Sequence, residues 1–228
     1  GVQTCALPIS WAGPEIAVAS TKAYTTQLAV LLMFAMELGR ARGTLSEEQY
    51  NELLNGLLKV PDLVENALAL SGYAQSAARR HFAQKNVFFI GRGLDQPATM
   101  ESSLKLKEIS YIHSEALPAG ELKHGTIALI EKGTLVVAMS TQSALREKLA
   151  SNIKEVKARG AQVLLIADRT AADAIEGVDE LLPLPEAADA LAPLVSVIPA
   201  QLFAYYCATL RGFDPDKPRN LAKSVTVE

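Results

Sequence analysis

Residues 86–93 read NVFFIGRG, a strand running into a glycine turn. Asn86 to Ile90 form a short apolar strand closed by Gly91-Arg92-Gly93, and a long helical pattern runs from about Gln96 to Tyr111. The same order recurs downstream. Thr134 to Ser140 (TLVVAMS) is a strand, Ala144 to Ala158 a helix of alternating charge ended by Gly160, and Gln162 to Ala167 (QVLLIA) the next strand. Leu181 to Leu184 adds a further strand, and Ala190 to Leu210 a long apolar helix that Pro193 and Pro199 are expected to bend. Strands alternating with helices predict an α/β protein: a parallel sheet with helices on both faces. Right-handed crossovers then place the functional crevice at the carboxyl ends of the strands, in the loops Gly91–Gly93, Ser140–Ser143 and Ala167–Thr170.

Toward the amino terminus, Thr25 to Arg42 (TTQLAVLLMFAMELGRAR) has apolar side chains at helical spacing and stops at Gly43. Thr44 to Glu48 offers cap chemistry for a second helix running to about Leu58, and a third is predicted after Pro61 to about Arg80. Both are amphipathic and read as a connector leading into a new domain. Residues 214–228 (DPDKPRNLAKSVTVE) have little periodicity and are expected to wrap irregularly over the domain. Gly1 to Ile9 (GVQTCALPI) shares no period with the residues after it and looks like a translated library adapter, so it is set aside from fold reasoning.

Composition narrows the function classes. Of 228 residues, 49% are hydrophobic and 21% charged, with a net charge of −3, which excludes disorder and a coiled coil and gives no basic field for nucleic acid or anionic lipid. The longest uninterrupted apolar run, near Leu28 to Met36, is cut by Glu37 well short of the roughly 20 residues that span a bilayer. Cys5 and Cys207 make no disulfide framework and no metal spacing, so a cytoplasmic, metal-free and cofactor-free protein is expected.

Glu101, Lys105 and Glu108 fall at i, i+4 and i+7 of the helix after the Gly-Arg-Gly turn and share one face. A carboxylate beside an ammonium can serve as a proton-transfer base, and a solvated face of ion pairs has the same spacing. His81 lies in a charged surface stretch and His113 near a helix end. His124 sits in a polar turn, AGELKHG at 119–125, where an imidazole can move protons to and from a sugar oxygen. Lys223, in the tail, is either a surface lysine or an amine able to form a Schiff base with a ketone. Gly91 and Gly93 lack the third glycine of GxGxxG, which argues against a dinucleotide.

Three strings then stand out: AGPEIAVASTKAYTTQL at 12–28, LKLKEISYIHSEALPAGELKHGTIALI at 104–130, and DKPRNLAKSVTVE at 216–228. Together they resemble the carboxyl-terminal half of the glutamine–fructose-6-phosphate aminotransferase (isomerizing), or glucosamine-6-phosphate synthase, family. The resemblance covers Ala12 to the last residue. It implies two sugar isomerase (SIS) domains of flavodoxin-like αβα architecture behind a glutaminase. Residues 1–10 are then non-native, 11–44 the helical end of the first SIS domain, 45–212 the second SIS domain, and 213–228 a tail carrying the active-site lysine.

By the same resemblance, Glu108 in KLKEISY matches the glutamate that moves a proton between C1 and C2 of the sugar. Lys223 in NLAKSV matches the Schiff-base lysine, and Ala222 a backbone contact to the sugar. His124 in ELKHG matches the ring-opening histidine, which in the family reaches across from the neighbouring subunit of a homodimer. Lys105, Val18 and Glu101 match residues lining the same pocket. The implied ligands are fructose 6-phosphate and glucosamine 6-phosphate, with neither nucleic acid nor membrane as partner. The family's phosphate-binding loop and glutaminase are not among these 228 residues, so the chain by itself is expected to lack transferase activity and to bind the sugar phosphate weakly at best. A non-catalytic SIS module that senses a sugar phosphate is the competing reading, and it would need neither Lys223 nor His124.

Overall fold

The computed structural model describes residues 11–222; the adapter-like segment and Lys223 therefore lie outside the described residues. The first helix, α1 (Lys22–Ala41), is followed by Gly43 at φ 67° and by α2 (Glu47–Leu58). A capping box starts α2: Gln49 N–H donates to Ser46 Oγ, and Ser46 N–H donates to Gln49 Oε1. The single helix expected between Pro61 and Arg80 is two, α3 (Val60–Ala69) and α4 (Ser71–His81), parted at Leu70. Ser71 and Gly72, both weaker helix formers than their neighbours, come directly after the break. Pro61 falls in the first turn of α3, where its missing N–H costs nothing.

Beyond these come β1 (Asn86–Gly91), α5 (Asp95–Ser110), β2 (His113–Pro118), β3 (Leu135–Ser140), α6 (Arg146–Lys157), β4 (Gln162–Ala167), α7 (Arg169–Asp173), β5 (Glu180–Pro183) and α8 (Ala192–Leu210). All neighbouring strands pair in parallel, in the order β2-β1-β3-β4-β5, which is the flavodoxin-like order that the resemblance implies. The strand β2 has no counterpart among the expected elements, and His113 opens it rather than ending a helix. Its sequence, HSEALP, is poor in β-formers, and it lies at the sheet edge, so pairing with β1 and not local preference makes it a strand.

Successive strand residues feed two cores, as side chains alternating across a sheet must. Phe89, Val137, Leu164 and Ile166 pack with α4, α5 and α8, whereas Phe88, Val136, Val163 and Leu165 pack with Leu149, Ile153 and Val156 of α6. The helix α8 continues through Pro199. Its 19 residues include an 18-residue window of mean hydropathy 1.3, long and apolar enough to span a bilayer, contrary to the estimate from the longest run, but 61% of that window is buried inside the protein. Its apolar surface is thus spent on the core against α5, α4 and α3.

Two features fix α5. A Cβ on Gly91 would come within 2.8 Å of the Asp95 backbone, so only glycine lets the helix start this close to the strand. Asp95, 1% exposed, accepts hydrogen bonds from the backbone N–H and the hydroxyl of Thr141 at the end of β3. Burial outweighs these bonds and pushes the Asp95 carboxyl up to about 6 from 3.8. The folded state therefore holds this proton more tightly than the unfolded chain does. Its contribution is full below about pH 4 and falls as pH rises through about 6, by about 3 kcal/mol. Urea unfolding of the wild type measured against Asp95→Asn should show that loss between pH 4 and 7; a difference that stays flat with pH would contradict it.

Candidate active site

Because α5 returns antiparallel to the strands, its first turn lies at the carboxyl edge of the sheet and its last turn at the amino edge. Glu101, Lys105 and Glu108 descend this helix in order, and the three are in ionic contact as their spacing allows. Lys105 Nζ donates to Glu108 Oε2 at 2.6 Å and lies 3.4 Å from Glu101 Oε1. The lysine side chain is 5% exposed, against 11% for Glu101 and 22% for Glu108. A solvated face of ion pairs is thereby excluded. Burial pushes the Glu101 carboxyl up, opposed by the Lys105 charge and aided by Glu108; among the described residues the 3.4 Å ionic contact with Lys105 is what faces its Oε1.

Two other segments meet α5 here. Residues 11–21 lead into α1, where burial and the Glu101 charge push the Tyr24 phenol up to about 12. Within that segment Glu15 accepts from Thr21, and the Pro14 carbonyl accepts from Lys22 at the start of α1, while Val18, half-buried, donates its N–H to the Asp216 carbonyl at 3.2 Å. Asp216 belongs to the tail that leaves α8 at the amino edge. The tail is irregular as expected, and its Arg219, Asn220 and Leu221 share an open cavity of about 300 Å³ with Leu104, Lys107, Glu108 and Tyr111. Ala222 is exposed and ends the described part of the tail, one residue before Lys223.

His124 is elsewhere. It ends a 3-10 turn, Ala119–His124, directly after β2, and is 75% exposed with Glu121 Oε2 at 3.9 Å. That places it at the carboxyl edge, whereas Glu108 is at the amino edge. Six residues of parallel strand separate the two levels, roughly 20 Å. One chain does not bring His124 to Glu108. The expectation that the crevice lies at the carboxyl ends of the strands fails for the Glu108 cluster for the same reason: the residues sit on the returning helix, not in the loops. The carboxyl-edge loops instead satisfy one another, with Ser143 N–H and hydroxyl donating to Asp189 and Thr141 to Asp95. Among the described residues no three His, Cys, Asp or Glu side chains are grouped to hold a metal.

Sequence reasoning misses Tyr24, Glu15 and Tyr111 as parts of this neighbourhood. Tyr111 stands in the KEISY string, but nothing in spacing tells that its ring meets the tail.

A doubly wound parallel α/β unit whose polar cluster sits on the helix after the first strand is the class these features define. The chain belongs to the SIS domain family, whose profile matches residues 82–211. It is 54% identical over 219 residues to the glutamine–fructose-6-phosphate aminotransferase [isomerizing] of Caldanaerobacter subterraneus subsp. tengcongensis, covering 96% of this chain and 36% of that protein. Among solved structures it superposes on the C-terminal domain of glucosamine-fructose-6-phosphate aminotransferase from Francisella tularensis with TM-score 0.86 and 39% identity, over 90% of this chain and 58% of that one. A glucosamine-6-phosphate deaminase from Thermotoga maritima is more distant, with TM-score 0.69 and 27% identity over 94% of this chain and 59% of that one. The chain thus spans about a third of the length of the curated relatives it matches.

The buried lysine supplies a check on the cluster. Lys105→Met would leave two half-buried carboxylates facing each other without their cation, at a cost of about 3 kcal/mol. Urea unfolding at pH 8 should show this loss, and adding Glu101→Gln should recover a good part of it. Equal stability of Lys105→Met and wild type would mean that the lysine holds nothing together.

Proposed function

We propose that this chain is the sugar-binding, isomerising part of an enzyme that makes glucosamine 6-phosphate from fructose 6-phosphate and glutamine. The observation that carries the reading is the shared cavity: Glu108, hydrogen-bonded to Lys105 at 2.6 Å, lines the same space as the tail residues Arg219, Asn220 and Leu221. The 54% identity to an aminotransferase over nearly the whole chain supports it independently.

In this reading the open-chain ketose meets Lys223. The lysine nitrogen adds to the C2 carbonyl and water leaves, giving an iminium that acidifies the proton on C1. Ammonia released from glutamine then adds to C2 and expels the Lys223 amine, leaving a C2 iminium; Glu108 takes the C1 proton and returns it to C2, so that C1 becomes the aldehyde and C2 keeps the new amine. Lys105 holds the Glu108 carboxylate in place and supplies a positive charge near the enolic oxygen that develops between the two proton transfers. Val18 and Ala222 line the sugar, Glu101 steadies Lys105, and the amine that ends on C2 derives from glutamine outside these residues. His124 opens the sugar ring and, being at the far edge of its own sheet, does so in the site of a second copy; the working unit is a homodimer in the cytoplasm. A monomer in sedimentation at tens of micromolar would remove that last part.

Fructose 6-phosphate and borohydride test the reading. Reduction should fix a hexitol phosphate on Lys223, seen as a mass shift on the carboxyl-terminal peptide, and Lys223→Arg should abolish it. Label absent from Lys223, or spread evenly over surface lysines, would refute the assignment.

A further inference from the structure

We propose that Tyr111 is a positioning residue: it fixes the carboxyl-terminal tail beside Glu108. Its consequence for chemistry rests on the proposed isomerase function, whereas its geometry does not.

Tyr111 is the C-cap of α5 and lies in the left-handed region at φ 59° and ψ 19°. Glycine or asparagine usually takes such a cap, because a β-carbon is disfavoured there. What distinguishes this position is therefore the ring it presents, and the ring is used on three sides. Its hydroxyl accepts the Arg219 backbone N–H at 2.8 Å. Its face carries the Arg219 guanidinium, 4.2 Å from the ring centroid. The Phe213 ring meets it edge-on, with centroids 4.6 Å apart and an interplanar angle of 67°.

These contacts hold the tail at two points, near where it leaves α8 and just before it passes Glu108. Between them Pro218 is buried, and after them Asn220, at φ 61°, turns the chain so that Asn220 and Leu221 wall the cavity that Glu108 lines. Tyr111 is also tied to the helix that carries the base: its N–H donates to the Lys107 carbonyl, and it stands three residues after Glu108. Whatever is fixed to Tyr111 is thus fixed relative to the Glu108 carboxylate. A phenol between base and tail sets their separation, which an amine and a proton-transfer base acting on adjacent carbons require.

Two variants separate positioning from mere folding. Tyr111→Phe keeps the stacked ring and removes the hydroxyl; Tyr111→Gly removes the ring and relieves the left-handed backbone. Both should unfold thermally as single species with the sheet intact. Amide hydrogen exchange at Arg219 should quicken roughly tenfold in Tyr111→Phe, as expected for one lost hydrogen bond, and exchange across residues 213–222 should quicken in Tyr111→Gly. Borohydride labelling of Lys223 at saturating fructose 6-phosphate should slow in the order wild type, Phe, Gly, by tenfold or more in the last, with a smaller change in the half-saturating concentration. Unchanged Arg219 exchange in both variants would overturn the anchor. Faster exchange with labelling as rapid as in the wild type would overturn its role in positioning. No label in the wild type would overturn the functional reading and the catalytic consequence with it, while the exchange measurement would still decide the anchor.

Discussion

The hydrogen bonds from Thr141 to the buried Asp95 carboxylate set where α5 lies, and the layout of the candidate site depends on that placement. Asp95 is the first residue of α5 and Thr141 comes directly after the last residue of β3, so the pair ties the start of the helix to the carboxyl edge at the centre of the sheet. With Gly91 allowing close approach, the helix has one course open to it, down the face it shares with α8. Glu101, Lys105, Glu108 and Tyr111 are then delivered in turn toward the amino edge. There the end of α8 releases the tail, and the residues before α1 meet both.

Much of this architecture is legible in the sequence because the strands are short apolar runs between glycines. NVFFI and QVLLIA feed both cores, and near-continuous apolar character is what burial on two faces demands. Where tertiary pairing overrides local preference, the sequence is silent. HSEALP carries little sign of a strand, yet it supplies the edge of the sheet and, by its length, the separation between His124 and Glu108. The break at Leu70 is marked locally only by Ser71 and Gly72, and the apolar spacing that runs on through it hides it.

The candidate site is readable in part. Spacing places Glu101, Lys105 and Glu108 on one face but does not distinguish a solvated face from a cluster, because the deciding quantity is the burial of Lys105, which other elements impose. His124 shows the converse. Its turn reads as polar and is exposed, and only the sheet reveals that it stands at the opposite edge from Glu108 in the same chain. Two separate segments, 11–21 and 213–222, complete the neighbourhood, and no local pattern in either announces the other.

In the proposed function the sugar binds at the amino edge, between α5 and the tail, and not in the loops at the carboxyl edge where doubly wound sheets usually hold their ligands. Titrating the isotopically labelled protein with fructose 6-phosphate and following backbone amide shifts tests this directly. Shifts centred on Glu108, Tyr111 and residues 218–222 are expected. Shifts confined to Gly91–Gly93, Ser140–Ser143 and Ala167–Thr170 would contradict it.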